Sequence, residues 1–138
     1  LFGDGQRAVT MLCTPSASQH RRAALTKAGA TVTVLPADAQ GRVYFLAALD
    51  PLGAAGSNKV LVEAGTGITT TVLAAALADE IYWTQSPHIL GSDARPAVAA
   101  LKLVALPPQN LYTQSRSLSV GQDQLRVFVK NVSADRTE

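Results

Sequence analysis

The sequence predicts an α/β domain whose sheet begins with parallel strands and ends on an antiparallel hairpin. Three observations carry this. Short apolar, β-branched runs alternate with helix-forming stretches as far as residue 85; a glycine turn joins the third run directly to a helix; two late runs flank Gly121-Gln122-Asp123. Alternating strand–helix units return each crossover over the sheet face, which makes the first strands parallel. Ligands of such sheets sit at the carboxyl ends of the strands. That directs attention to the segments after Thr14, Leu35, Val62 and Gln85.

The elements follow in order. Ala8–Thr14 is an apolar run with β-branched members, stopped by Pro15-Ser16, and reads as a buried strand. Residues 17–28 carry helix formers with Ala24, Leu25 and Ala28 on one face and Gly29 as the stop. Thr31–Leu35 is a second strand ending at Pro36. Val43–Leu52 has Phe45, Leu46 and Leu49 at helical spacing, and Pro51 predicts an end or bend near Asp50. Val60-Leu61-Val62 reads as a third strand, Ile68–Ala78 as a helix, and Ile81–Gln85 as a fourth strand stopped before Pro87. Leu111–Val120 and Leu125–Val129 complete the hairpin.

Length and composition bound the function classes. At 138 residues the chain fits one domain of ordinary size. With 47% apolar and 16% charged residues it is no disordered linker. A single cysteine, Cys13, excludes a disulfide framework and a multi-cysteine metal site, and points to a reducing, cytoplasmic setting. Twelve basic residues against ten acidic ones give a net charge of +2. The one basic run, His20-Arg21-Arg22, has no aromatic near it, so nucleic acid is not an expected partner. No run approaches the roughly 18 apolar residues of a membrane span, and LFGDGQRAV is not a signal sequence.

The chemistry concentrates between Lys59 and Ile81. An apolar strand runs into Glu63-Ala64-Gly65-Thr66-Gly67 and then into a helix. Gly65 and Gly67 permit positive φ or close backbone approach, and the exposed N–H groups of the next turn favour an anion such as a pyrophosphate. Thr69, Thr70 and Thr71 add hydroxyls to that turn. The turn is neither GxGxxG nor a P-loop, and glycine there also has a purely geometric explanation. Glu63 ends an apolar strand at the sheet rim, where a carboxylate needs hydration or hydrogen bonds. A satisfied rim acid and a ligand to substrate hydroxyls both fit that position.

VLVEAGTGITTTVLAAALADEI followed by SPHILGSDARP resembles the C-terminal reductase domain of the bifunctional riboflavin-biosynthesis deaminase/reductase. The matching motifs are Val62-Glu63-Ala64-Gly65, Leu77-Ala78-Asp79-Glu80-Ile81, Ser86–Ala94 and the late Gly121–Leu125. The resemblance implies a three-layer, dihydrofolate-reductase-like domain with a mixed, mostly parallel sheet and a C-terminal antiparallel hairpin. It implies NADPH-dependent reduction of 5-amino-6-(5-phosphoribosylamino)uracil to the ribitylamino compound. Carried over by position, Glu63 contacts the phosphorylated pyrimidine substrate. Gly65, Thr66, Gly67, Ile68, Thr69, Thr70 and Thr71 line the NADPH site. No catalytic residue and no metal ligand is assigned. Folds of this type often carry a cis peptide at the strand-to-turn junction, here Ala64–Gly65, and the family is typically a homodimer.

Thr66-Gly67 inverts the family's usual order and displaces a hydroxyl, and His88 stands where Lys is common. His88 and His20 read as exposed loop and helix residues, and Asp79-Glu80 as a helix-to-strand junction. Asp93 and Arg95 read as a pair on a loop, Tyr82 and Trp83 as core and rim packing. Arg21 and Arg22 are candidates for a cofactor 2′-phosphate. Neither H-x-E nor C-x-x-C occurs, so no deaminase domain is expected within these residues. The family's first strands are expected to precede Leu1, which makes residues 1–138 a partial reductase domain of a longer chain. A non-catalytic remnant acting as a dimerisation or regulatory module is the alternative.

Overall fold

The computed structural model describes residues 8–101 and 111–131, so most of LFGDGQRAV lies outside the described residues. The chain, expected as one domain, forms two compact units, Leu1–Leu61 and Val62–Glu138. In the first, β1 (Thr10–Cys13), α1 (Gln19–Lys27), β2 (Thr31–Val34) and α2 (Phe45–Ala54) follow in order. β1 and β2 pair in parallel from Thr10 opposite Thr31 to Cys13 opposite Val34, with α1 as the crossover. Leu35 N–H donates to Cys13 O at 2.8 Å and extends the ladder to the carboxyl edge. Ala30 and Ala48 are buried here, and so is Thr14, whose hydroxyl meets that of Ser16 at 2.8 Å.

Beyond β2 the chain closes a tight loop around Asp38. Its carboxylate accepts from the backbone N–H groups of Arg42 and Gln40, both at 2.9 Å, and from Arg42 Nε at 3.0 Å. These donors, the Arg42 backbone foremost, hold the Asp38 carboxyl below the usual carboxylate range. Helix α2 runs through Pro51 rather than ending near Asp50. One turn remains after the proline, so the missing N–H removes a single helical bond there.

The second unit contains α3 (Thr66–Ala74), β3 (Glu80–Gln85), β4 (Tyr112–Val120) and β5 (Asp123–Lys130). Its sheet is antiparallel in the order β3-β5-β4. Gly121 takes φ +61° at the first central position of the two-residue hairpin loop, as a tight turn there requires. Val127, on the central strand, is 1% exposed and stands opposite Tyr82 on one side and Arg116 on the other. Tyr82 and Trp83, expected as packing residues, are exposed. Tyr82 donates to Glu80 Oε2 at 2.8 Å, and that carboxylate raises the phenol above its ordinary range against a smaller opposing pull from Arg116.

The run Val60–Val62, expected as the third strand, is not one. None of its backbone groups joins a ladder among the described residues, and the three side chains are 48%, 78% and 39% exposed. An apolar run reports a capacity for burial, but a strand also needs a partner for its N–H and C=O groups. The mixed α/β class and the C-terminal antiparallel hairpin stand as expected. Among the described residues the parallel part comprises one pair, on a sheet of its own rather than within one mostly parallel sheet.

All three helices close on the same two hydrogen bonds. In α1 Ala30 N–H reaches Leu25 O at 3.1 Å and Gly29 N–H reaches Thr26 O at 3.0 Å; in α3 Leu77 reaches Val72 at 3.0 Å and Ala76 reaches Leu73 at 3.1 Å. This closure puts one residue in the left-handed region. Gly29 and Gly56 fill it in α1 and α2, but in α3 the residue is Ala76 at φ +50°. Lys130 Nζ donates to Ala76 O at 2.6 Å, a cation at the negative end of the helix. Replacing Ala76 by Gly is expected to raise stability by about 0.5–1 kcal/mol, the relieved left-handed cost exceeding the added chain entropy. Urea unfolding of the two proteins measures this, and an unchanged or lower midpoint contradicts it.

Candidate functional site

The turn from Glu63 into α3 lies wholly in the second unit. Glu63 is exposed, and among the described residues it has no ion pair or hydrogen-bond donor. Its carboxylate is therefore not held by a cation among the described residues. Gly65 stands at the N-cap of α3 with φ −72° and ψ 172° and contributes no side-chain cap. The first helical bond is Thr69 N–H to Gly65 O at 3.3 Å. The N–H groups of Thr66, Gly67 and Ile68 consequently have no acceptor among the described residues. No acidic residue occupies the first turn.

The two glycines have neither of the usual internal reasons to be glycine. Gly65 lies in extended backbone that any residue adopts, and Gly67 is not among the glycines with positive φ. A Cβ built on either meets no atom within 4 Å. Gly67 also costs helix stability relative to alanine. What remains is room above the amides for something outside the described chain. The Ala64–Gly65 peptide is trans, as are all peptide bonds among the described residues, so the cis junction implied by the resemblance is absent.

The threonines serve a purpose the sequence did not show. Thr69 Oγ1 donates to Ala64 O at 3.2 Å, Thr70 Oγ1 to Thr66 O at 2.6 Å and Thr71 Oγ1 to Gly67 O at 3.1 Å. Thr66 Oγ1 donates to Pro96 O, and Thr70 Oγ1 also accepts from Ala99 N–H at 2.8 Å. Their protons are committed within the chain, which leaves the backbone amides as the donors for an anion. Ile68 is 46% exposed beside them. The segment 96–99 is thereby clipped to the first half of α3, a contact spanning about thirty residues that no local pattern could signal.

The family of the RibD C-terminal domain matches residues 1–124. The chain belongs to that family. RibD C-terminal domains are reductase domains of the riboflavin pathway, typically NADPH-binding, so the chain is an oxidoreductase-type domain. Its mixed α/β architecture is consistent with the dihydrofolate-reductase-like fold of RibD C-terminal domains. No curated protein matches the chain.

Other predicted residues of this RibD C-terminal domain fall as follows. His88 is exposed, with Nδ1 2.9 Å from Ser86 Oγ, and His20 is exposed on α1. Arg21 and Arg22 lie in the first turn of α1, in the other unit. The expected Asp93–Arg95 pair does not form, because the only ion pair among the described residues joins Arg42 to Asp38. Asp93 folds back over Gly91, where a Cβ would come within 2.7 Å of Oδ1. Among the described residues no group of three metal-ligating side chains gathers, and no helix is long and apolar enough to cross a membrane.

Proposed function

We propose that this chain, as part of a longer protein, carries out the NADPH-dependent reduction of 5-amino-6-(5-phosphoribosylamino)uracil to its ribitylamino product. The observation that supports the reading most is the first turn of α3. Three N–H groups without acceptors among the described residues lie under two glycines that neither backbone nor packing of those residues requires. That chemistry fits a pyrophosphate, whose charge the helix N-terminus favours. When bound, the nicotinamide supplies the hydride. The protein's residues hold and orient the reactants. The amides of Thr66, Gly67 and Ile68 fix the pyrophosphate, exposed Ile68 lies against an apolar part of the dinucleotide, and Glu63 accepts hydrogen bonds from the sugar hydroxyls of the phosphorylated pyrimidine. The assembly is a cytoplasmic homodimer, a reading supported by the exposed Leu118, Val120 and Val129 of β4 and β5 and by the free thiol of Cys13.

Glu63→Gln tests the division of labour. A hydrogen bond to a charged group contributes about 1.5–3 kcal/mol, so substrate affinity and turnover are expected to fall at least tenfold. NADPH affinity stays within a factor of two. Titration of NADPH and of substrate into the full-length protein measures both. Unchanged substrate affinity and turnover in the variant removes Glu63 from the site. Failure of the wild-type protein to bind NADPH replaces the reductase reading with the non-catalytic remnant.

A further inference from the structure

The three-stranded sheet of the second unit gathers its exposed apolar side chains on one face. Opposite residues of antiparallel strands share a face, so the registers decide which side chains stand together. Tyr82, Val127 and Arg116 form one row; Glu80 and Val129 stand one row before it, Leu125 and Leu118 one row after. The bulge between Gln114 and Arg116 inserts one residue into β4, which turns Arg116, Leu118 and Val120 onto the face of Tyr82 and Val129. Leu118 and Val129 are exposed there, and Tyr82 and Val120 are more than half exposed. Scattered apolar side chains are ordinary on a surface, whereas a contiguous group marks a contact.

The charges of this face are separated by strand. Glu80 lies on β3 at one edge of the sheet and Arg116 on β4 at the other, and neither is in an ion pair among the described residues. An edge of acid and phenol complements an edge of guanidinium, and only a second molecule can bring the two together across the whole sheet. A copy stacked face to face about a two-fold axis parallel to β5 lays its β3 over β4. The partner's Tyr82 then stands over Arg116, with the partner's Glu80 one row away. An axis across the strands instead sets Arg116 on the partner's Arg116. Packed sheets lie about 10 Å apart, a gap that an arginine and a tyrosine fill from opposite sides with a cation–π contact. Asp123, the other acid of this face, lies at the hairpin end of β5, where sheets crossed by about 30° diverge.

We propose that two copies of this chain pair through this face, with Arg116 of each against the partner's Tyr82 and Glu80. The proposal rests on the homodimer reading above and assigns it a surface, the same patch on both subunits.

Sedimentation of the full-length protein over a range of concentrations tests it, with circular dichroism confirming the fold of each variant. The wild-type protein is expected to be a dimer. Leu118→Asp sets a charge in the apolar contact and raises the dimer dissociation constant about a hundredfold. Arg116→Glu and Glu80→Lys each raise it about tenfold, and the double variant regains most of the wild-type affinity because the two charges have exchanged places. Both positions are exposed, so these variants carry the test even if Leu118→Asp fails to fold. Trp83→Ser, one residue along β3 and on the opposite face, leaves association unchanged. A dimer that survives Arg116→Glu, Glu80→Lys and Leu118→Asp overturns this face and leaves the homodimer reading to another surface. Dissociation by either charge variant without recovery in the double variant overturns the pairing of Arg116 with Glu80. A wild-type monomer at every concentration overturns the face and the homodimer reading together.

Discussion

Gly67→Ala is expected to make the protein more stable and worse at binding NADPH. The position is the second residue of α3, with ordinary helical backbone and no atom within 4 Å of a Cβ. Alanine there gains about 0.5–1 kcal/mol over glycine from helix propensity alone, so the melting temperature rises by a few degrees. The Cα–Cβ bond of a helical residue tilts toward the helix N-terminus. The new methyl therefore stands where an anion would approach the amides of Thr66, Gly67 and Ile68. Keeping a phosphate one methyl radius further away loses the short, charge-assisted hydrogen bonds, and a Kd at least tenfold higher is expected, about 1.4 kcal/mol. A thermal melt and an NADPH titration on the same sample separate the two effects. A variant that melts higher and binds as before places the cofactor elsewhere.

Among the strands that are present where the sequence suggests them, two pairs join neighbours in the chain, whereas β3 pairs with the distant β5. Thr31–Val34 returns to Thr10–Cys13 after one helix, and Asp123–Lys130 folds back on Tyr112–Val120 through two residues. Both signals are local: β-branched runs with a turn or a crossover between them. Val60–Val62 has the same apolar character, yet character does not supply a neighbour, and the run stays outside any ladder among the described residues. The site divides in the same way. Glycine, helix start and lone carboxylate at 63–67 are adjacent in sequence and could be read there. The threonine hydroxyls could not, because their acceptors lie on the helix's own carbonyls and on Pro96, thirty positions away. Arg95 reads as half of a short-range pair with Asp93. Only the fold shows that Asp93 turns over Gly91 instead.

Val127 is where the second unit is most vulnerable. It is the one large side chain fully buried among the described residues, in the middle of the central strand, with Tyr82 and Arg116 flanking it on the same face. Truncation to alanine removes two methyl groups, about 1.6 kcal/mol of transfer free energy at roughly 0.8 kcal/mol each. The cavity left behind adds to this, so a loss of about 2 kcal/mol is expected. The larger effect comes from a charge, and its sign matters. An aspartate at 127 would find Arg116 in the same row of the sheet and be partly compensated. A lysine places a like charge in the same row as exposed Arg116, starting from a position that is buried. Val127→Lys is therefore expected to cost several kcal/mol, a large part of the roughly 5–15 kcal/mol that holds a domain together. Loss of hydrogen-exchange protection across 80–85 and 112–130 is the readout. A milder effect for lysine than for aspartate would mean that Arg116 does not face this position, and the row across the three strands would have to be redrawn.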